Sequence, residues 1–253
     1  MTRLASILAI SASLLTGCAM TPRVPDSIPA GVAVHNVAVI SVAARTFSRA
    51  YTGMTLFNNE YEEMDIRKWR VDQAIESKAK DVLKGMGIQS IDNDNSVDAF
   101  EVVNDPKNGY PVWGKVTQPA LAYCGKHGLD GVVVIARTSV WDFMSESNQS
   151  FSGAGIYARG PVRSVSVLHL VAEAAFIDCK TGKPLATRRL TTSSSDNISE
   201  VTKETPRMPS PMIEATRPMA QWTDEQKTRY KGMLERVLSA PIDPTLHKLL
   251  NRP

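Results

Sequence analysis

The stretch Leu129-Asp130-Gly131-Val132-Val133-Val134-Ile135 decides the fold class. A run of apolar β-branched residues directly after a turn predicts a strand buried on both faces, since a strand with one wet face alternates apolar and polar residues. A second such run, Val37–Ala43, comes before it, and two segments with helical apolar spacing, after Asp65 and after Pro119, lie between the runs. This order predicts a parallel sheet with crossover helices.

The second half of the chain predicts antiparallel pairing followed by helices. A long strand over 163–177, a turn over Lys180–Lys183 and a return over 185–192 form a hairpin. Thr223 and Gln226 have capping-box spacing for a helix that Pro241 should end, and a last short helix should follow. We therefore expect an α/β fold with a mixed sheet of about five strands, two crossover helices, a C-terminal antiparallel hairpin and C-terminal helices. It should form a single domain over 37–253, with exposed loops at 145–160 and 193–218.

The amino terminus has the layout of an export signal. Arg3 precedes the uncharged stretch Leu4–Leu15, which is too short to span a bilayer, since a span needs about 20 apolar residues. The small residues Thr16 and Gly17 then precede Cys18. Two other readings remain: an ordinary secretory signal that happens to contain a cysteine, and a buried amino-terminal helix.

The tetrapeptide Leu15-Thr16-Gly17-Cys18 resembles the lipobox of bacterial lipoprotein precursors. The resemblance implies that residues 1–17 are removed by cleavage between Gly17 and Cys18, and that Cys18 receives a diacylglyceryl thioether and an N-acyl chain; we expect no other cofactor. Because Ala19 stands where the inner-membrane retention pattern has Asp, the expected location is the periplasmic face of the outer membrane. Residues 18–36, with three prolines, should form a tether.

Composition argues against two classes of partner or location. The 29 Lys and Arg residues nearly balance 26 Asp and Glu residues, without a long block of one sign, so a nucleic-acid surface is not expected. No later uncharged run approaches the length of a membrane span. The membrane should therefore be reached only through the lipid anchor.

Cys124 and Cys179 are the two cysteines left after Cys18. In an oxidising compartment they can form a disulfide, and the alternative is two separate buried thiols. A catalytic thiol would need a lowered pKa and a positioned base, neither of which the sequence shows.

The catalytic and metal-binding motifs in the sequence are incomplete. The acidic loop Asp92–Asp98 has the charge of a calcium loop, but Val97 stands where Gly is required. Cys124 and His127 have the spacing of half a zinc site, but such a site needs three or four ligands and Cys179 is the only obvious further thiolate. No Gly-x-Ser-x-Gly elbow occurs, so we assign no catalytic residue and no metal ligand.

Aromatic residues in the polar loop are the candidate partner-binding residues. Phe143, Phe151 and Tyr157 lie in or beside a Ser- and Gly-rich segment, a mixture typical of binding surfaces. The Met- and Pro-rich segment 207–219 could dock similarly. The alternative is that both segments cover the domain's own core.

The strand at Val37, the helix after Asp65, the strand after Gly131 and the hairpin Phe176–Lys183 together resemble the small α/β domain of periplasmic assembly lipoproteins, such as the curli-secretion and penicillin-binding-protein activator lipoproteins. The resemblance covers residues 37–193 and implies a non-enzymatic binding or assembly factor with a protein partner in the envelope. It brings no catalytic residues. The alternatives are an envelope hydrolase with unidentified catalytic carboxylates and a self-assembling structural subunit.

Overall fold

A computed structural model describes residues 24–53, 59–105, 109–141, 150–160, 165–191, 207–210 and 215–252. Its strands are β1 (Asn36–Val42), β2 (Thr46–Thr52), β3 (Glu60–Asp65), β4 (Gln89–Ser90), β5 (Gly131–Arg137), β6 (Ser139–Trp141), β7 (Ser150–Arg159), β8 (Val165–Asp178), β9 (Pro184–Arg189) and β10 (Arg207–Pro209). Its α-helices are α1 (Val71–Gly85), α2 (Thr117–His127) and α3 (Asp224–Leu249), and 3₁₀ helices span Arg67–Trp69, Asn95–Val103, Trp113–Val116 and Met219–Gln221. The mixed α/β class is as predicted.

The strands form one ten-stranded sheet in two halves that share the long strand β8. In the first half the order is β4-β1-β5-β8-β9, with β4 and β5 parallel to β1. In the second half the order is β3-β2-β7-β8-β10, and β6 pairs with the start of β7. The expectation of about five strands is wrong, because that prediction recognised only the strands of the first half.

The central strands are buried on both faces, as their apolar runs predict. Alternate residues of β1 point to opposite sides: Val37 and Val39 join one core cluster, and Ala38 and Ile40 join the other. Helices α1 and α3 cover the first face, while α2 and two 3₁₀ helices cover the second. Neighbouring residues of one strand therefore serve two separate cores.

Gly131 permits the close packing of β5 against β8. A Cβ at this position would overlap the aromatic ring of Phe176, which belongs to the first core cluster. The glycine at the start of the valine run is therefore required by a close approach as well as by the turn before it.

The carboxy-terminal helix differs from the prediction. The capping box is present, because Thr223 and Gln226 exchange side-chain and main-chain hydrogen bonds. Pro241 does not end the helix, which continues through Pro244 to Leu249. The side chains of Pro241 and its neighbour Ile242 are buried in the core, and this burial offsets the hydrogen bond that a proline removes from a helix.

Strands also occur in a segment in which the sequence predicts no strand and in part of the expected loop 145–160. β2 and β3 form an antiparallel pair within 46–65, and β7 occupies residues 150–159 of the expected loop. The expected exposed connection 193–218 is also wrong in part: Arg207–Pro209 pairs with β8, and Ala215 is buried. Residues 142–149 and 192–206 lie outside the described residues.

A buried ion cluster fixes the second half of the sheet. The Arg49 side chain on β2 is fully buried, and its guanidinium lies 2.6 Å from Glu60 Oε2 and 2.9 Å from Glu62 Oε1, both on β3. It also donates a hydrogen bond to the carbonyl of Ala215, and Glu62 accepts one from the main chain of Met219. These partners of the two terminal nitrogens offset most of the cost of burying a guanidinium, while Arg49 Nε is buried with no hydrogen-bond partner among the described residues.

A disulfide joins Cys124 of α2 to Cys179, which follows β8. The two cysteines are separated by 55 residues in the chain, so the cross-link restricts a long loop of the unfolded state and stabilises the fold by about 4 kcal/mol in the chain-entropy model. It attaches α2, the main cover of the second core, to the strand beneath.

Part of the predicted tether 18–36 packs into the domain. Within this segment, Ile28 and Val34 are buried in the first core. The main-chain N–H of Ile28 donates to the carbonyl of Leu249 at the end of α3, and Pro25 accepts from Thr187 on β9. From Pro25 onward the segment is therefore part of the domain; residues 1–23 lie outside the described residues.

The buried imidazole of His169 on β8 makes stability depend on pH. Nδ1 lies 3.0 Å from the carbonyl of Gly153, and burial lowers its pKa to about 4. Below pH 6.5 the unfolded state binds a proton that the native state excludes, so stability present above pH 6.5 is lost as the pH falls, by about 3 kcal/mol at pH 4.

The variant His169→Asn tests this pH dependence, because it keeps a donor near the position of Nδ1 and removes the titrating group. Urea unfolding at pH 7, 5.5 and 4.5 should show a smaller loss for the variant; equal losses would contradict the assignment.

Candidate functional site

The polar cluster at the carboxyl end of β1 is the candidate site that the topology favours, because open α/β sheets bind ligands at this edge. Asp72 and Glu76 lie four residues apart on α1 and face the strand end. Asp72 Oδ1 accepts hydrogen bonds from the Ser41 hydroxyl (2.6 Å) and the Ala44 main chain (3.1 Å). Glu76 Oε1 accepts from the Ser41 main chain at 2.8 Å.

Both carboxyl groups have raised pKa values. Burial raises the pKa of Asp72, and it outweighs the hydrogen bonds from Ser41 and Ala44 and the charge of Arg45, whose Nε lies 3.3 Å from the carboxylate. Burial also raises the pKa of Glu76, to which Asp72 adds a like-charge contribution. Two neighbouring carboxyl groups shifted in this way are a common feature of hydrolytic sites.

The bonding partners identify a structural junction instead. The acceptor oxygens of Asp72 and Glu76 are occupied by donors of β1 and of the turn after it. Asn93 and Asn104 complete the junction by donating to the carbonyls of Val39 and Val42. The cluster thus pairs the polar groups that the end of β1 leaves inside the protein, and it holds α1 against the sheet.

A third shifted carboxyl group lies on β8. Burial raises the pKa of Glu173, although Trp113, Arg189 and Thr187 act in the opposite direction. The indole N–H of Trp113 donates to its Oε1 at 3.2 Å. This contact connects the 3₁₀ helix Trp113–Val116 to the sheet.

The acidic loop 92–98 is held by cations of the chain. Asp94 pairs with Lys126 and His127 of α2 and accepts hydrogen bonds from Ser96, and these contacts lower its pKa, with Lys126 the strongest. Asp92 pairs with Lys80, and Asp98 pairs with Arg45. Within the described ranges, no three His, Cys, Asp or Glu side chains assemble as a metal site.

The predicted partner-binding aromatics do not form a surface in the described residues. Tyr157 is buried in β7 and belongs to a small core cluster with Val140 and Val167, so its assignment to an exposed loop is wrong. Phe151 lies in β7 opposite Val140. Phe143, Gly17 and Cys18 lie outside the described residues.

The large apolar side chains exposed in the described residues are Tyr61, Val102 and Tyr110. Tyr61 on β3 is 63% exposed; partial burial of its hydroxyl and the neighbouring Glu63 raise its pKa, and Arg137 is close enough to act in the opposite direction. Tyr110 precedes Pro111, which forms a β-bridge with Asn104, and the Asn104 side chain accepts a hydrogen bond from the Arg137 main chain. We call Tyr61, Tyr110 and Arg137 the Arg137 surface.

The sequence gives a weak indication that the side chain of Tyr61 is exposed. Along β3, the residues whose side chains are more exposed alternate with partly buried ones, and Tyr61 falls in the exposed set. The charged residues around it hid this period, because three of the six residues of the strand are glutamates.

Comparison with known proteins gives only distant matches. No family model and no curated protein matches the chain. A PelC dodecamer from Paraburkholderia phytofirmans, carrying a single substitution, is 11% identical with a TM-score of 0.28, covering 86% of this chain and 94% of that one. A putative neuraminyllactose-binding hemagglutinin homolog from Helicobacter pylori is 8% identical with a TM-score of 0.33, covering 89% and 90%. Likeness at this level assigns neither family nor function.

Removing the Asp72 carboxylate should destabilise the fold. Asp72→Ala leaves the Ser41 hydroxyl, the Ala44 N–H and Arg45 without a buried acceptor, which should lower the free energy of unfolding by about 3 kcal/mol. Asp92→Ala removes only an exposed ion pair with Lys80 and should have little effect. Urea unfolding of both variants would measure this. Equal effects would show that the Asp72 cluster does not hold α1.

Proposed function

We propose that the chain is a lipid-anchored protein of the bacterial envelope that acts by binding a protein partner. The Cys124–Cys179 disulfide supports this proposal best. Disulfides persist in oxidising compartments, and the lipobox around Cys18 independently predicts export to one. Together the two features account for all three cysteines of the chain.

The proposed anchor is a diacylglyceryl thioether and an N-acyl chain on Cys18, after cleavage behind Gly17. More than one acyl chain gives stable anchoring, whereas a single chain binds reversibly. With Ala19 after the modified cysteine, the proposed location is the periplasmic face of the outer membrane. Within the described residues, no helix has both the length and the apolar character required to cross a bilayer.

The Arg137 surface is the proposed partner-binding region. Tyrosine and arginine are enriched among the residues that dominate binding energy, because they combine large contact area with hydrogen-bonding groups. Tyr61 and Tyr110 are exposed, Arg137 acts electrostatically on Tyr61, and Tyr110 lies on a segment fixed by the Ser139 hydrogen bond to Gly109. This surface takes the role first expected of Phe143, Phe151 and Tyr157.

Two alternative functions would require other features of the chain. A self-assembling subunit would use a second copy of the chain as its partner. An envelope hydrolase would need free carboxylates, whereas Asp72 and Glu76 hold the main chain of β1.

The anchor is tested by Cys18→Ser. In cells given labelled palmitate, the wild-type chain should incorporate label and fractionate with membranes, and the variant should do neither. Thiol alkylation tests the compartment: the wild type should react at two cysteines only after reduction. A matched form lacking residues 1–17 should stay in the cytoplasm and react at three cysteines without reduction. Unlabelled wild-type protein, or reduced Cys124 and Cys179 in it, would contradict the proposal.

The binding surface is tested by photo-crosslinking in intact cells. A benzophenone amino acid at position 61 or 110 should give a discrete adduct, because these side chains point outward from the Arg137 surface. The same residue at position 228, exposed on α3, is the control and should give none. An adduct with a second copy of the chain would favour self-assembly, and adducts of equal yield at all three positions would exclude a specific surface.

A further inference from the structure

We infer that the domain has a membrane-facing end that contacts anionic phospholipid headgroups. This end consists of residues 24–31, the turn between β8 and β9, and the end of α3; we call it the anchor end. The inference rests on the lipid anchor proposed above and adds the orientation of the domain and the chemistry of the surface that it meets.

The point where the tether meets the domain selects this end. Thr187 on β9 donates to the Pro25 carbonyl at 2.8 Å, and Ile28 donates to the Leu249 carbonyl at 2.9 Å. Six residue steps separate Cys18 from Val24, so the chain between them spans at most about 21 Å. Val24 therefore remains within that distance of the lipid.

The length of the domain excludes the opposite orientation. Thr187 pairs with Ala175, ten residues from the start of β8 at Val165, which corresponds to about 33 Å along the strand. Helix α3 places its start at a similar distance from Leu249, about 38 Å for a straight helix. If the far end contacted the bilayer with the domain upright, Val24 would lie beyond the reach of the tether.

The charge distribution matches this orientation. Lys180, Lys183 and Arg252 are exposed at the anchor end, and Asp26 is the exposed carboxylate within residues 24–31. Asp130 and Asp178 at the same end accept main-chain hydrogen bonds, Asp130 from His35 and Asn36 and Asp178 from Thr181.

Strand β3 presents carboxylates at the opposite edge of the sheet. Glu60 and Glu63 are exposed there, although Glu60 also pairs with the buried Arg49, and Arg67 and Lys68 are exposed just after the strand. An anionic surface attracts lysine and arginine within about a Debye length and repels carboxylates. Both effects turn the anchor end toward the lipid and β3 away from it.

Lysine acylation of the full lipoprotein tests the orientation. The purified chain is placed in phosphatidylethanolamine–phosphatidylglycerol vesicles, in phosphatidylcholine vesicles or in neutral detergent, treated with a water-soluble acylating reagent and read by mass spectrometry. Lys180 and Lys183 should react about threefold more slowly in the anionic vesicles, and the protection should weaken at about 0.5 M salt. Lys68 and Lys227, toward the far end, should react equally in all three.

A matched pair of charge reversals makes the test specific. Arg252→Glu should reduce the protection of Lys180 and Lys183 in anionic vesicles, whereas Lys227→Glu, with the same change in charge, should not. Uniform protection of all lysines, or protection centred on Lys68, would overturn the orientation while leaving the anchor intact. A chain that does not associate with any vesicle would overturn the anchor itself, and the orientation with it.

Discussion

The requirement to cover both faces of β1 and β5 determines the architecture. Neither strand has a polar face, so each must be buried between two layers of other elements. The first layer is thick, because α1 and the 26-residue α3 both pack on it. The second is thinner, with one α-helix and short 3₁₀ helices, and there the disulfide fastens α2 to the sheet. The covalent link thus lies where apolar burial is smaller.

The elements that follow one simple pattern could be predicted from the sequence. β1 and β5 were recognisable as buried strands, and the β8–β9 hairpin was recognisable from its turn. β2 and β7 were not, because they pair with each other in parallel although about a hundred residues separate them, and β3 was hidden by its three glutamates. The local sequence does not indicate which distant strand will be the partner. The prediction that Pro241 ends the helix is wrong for a related reason: a proline inside a helix is tolerated here because tertiary packing buries it.

The buried ionisable groups have structural partners within the domain. Their residue types and shifted pKa values make three residues candidates for a functional site: Asp72, Glu76 and Arg49. Each of them instead bonds main-chain groups or opposite charges of its own domain. The sequence could not assign these partners, because Arg49 and Ala215 are 166 residues apart. Tyr61, hidden among glutamates, is instead exposed. Exposure therefore distinguishes the Arg137 surface from these buried groups.

The hydrogen bond between Ile28 and Leu249 also determines when the domain can be completed. The ribosome adds residue 249 more than two hundred positions after residue 28, so this hydrogen bond cannot form until then. Until the final helical turn exists, Ile28 has neither its main-chain acceptor nor the apolar neighbours around it. Folding of the domain is therefore finished only after synthesis is almost over.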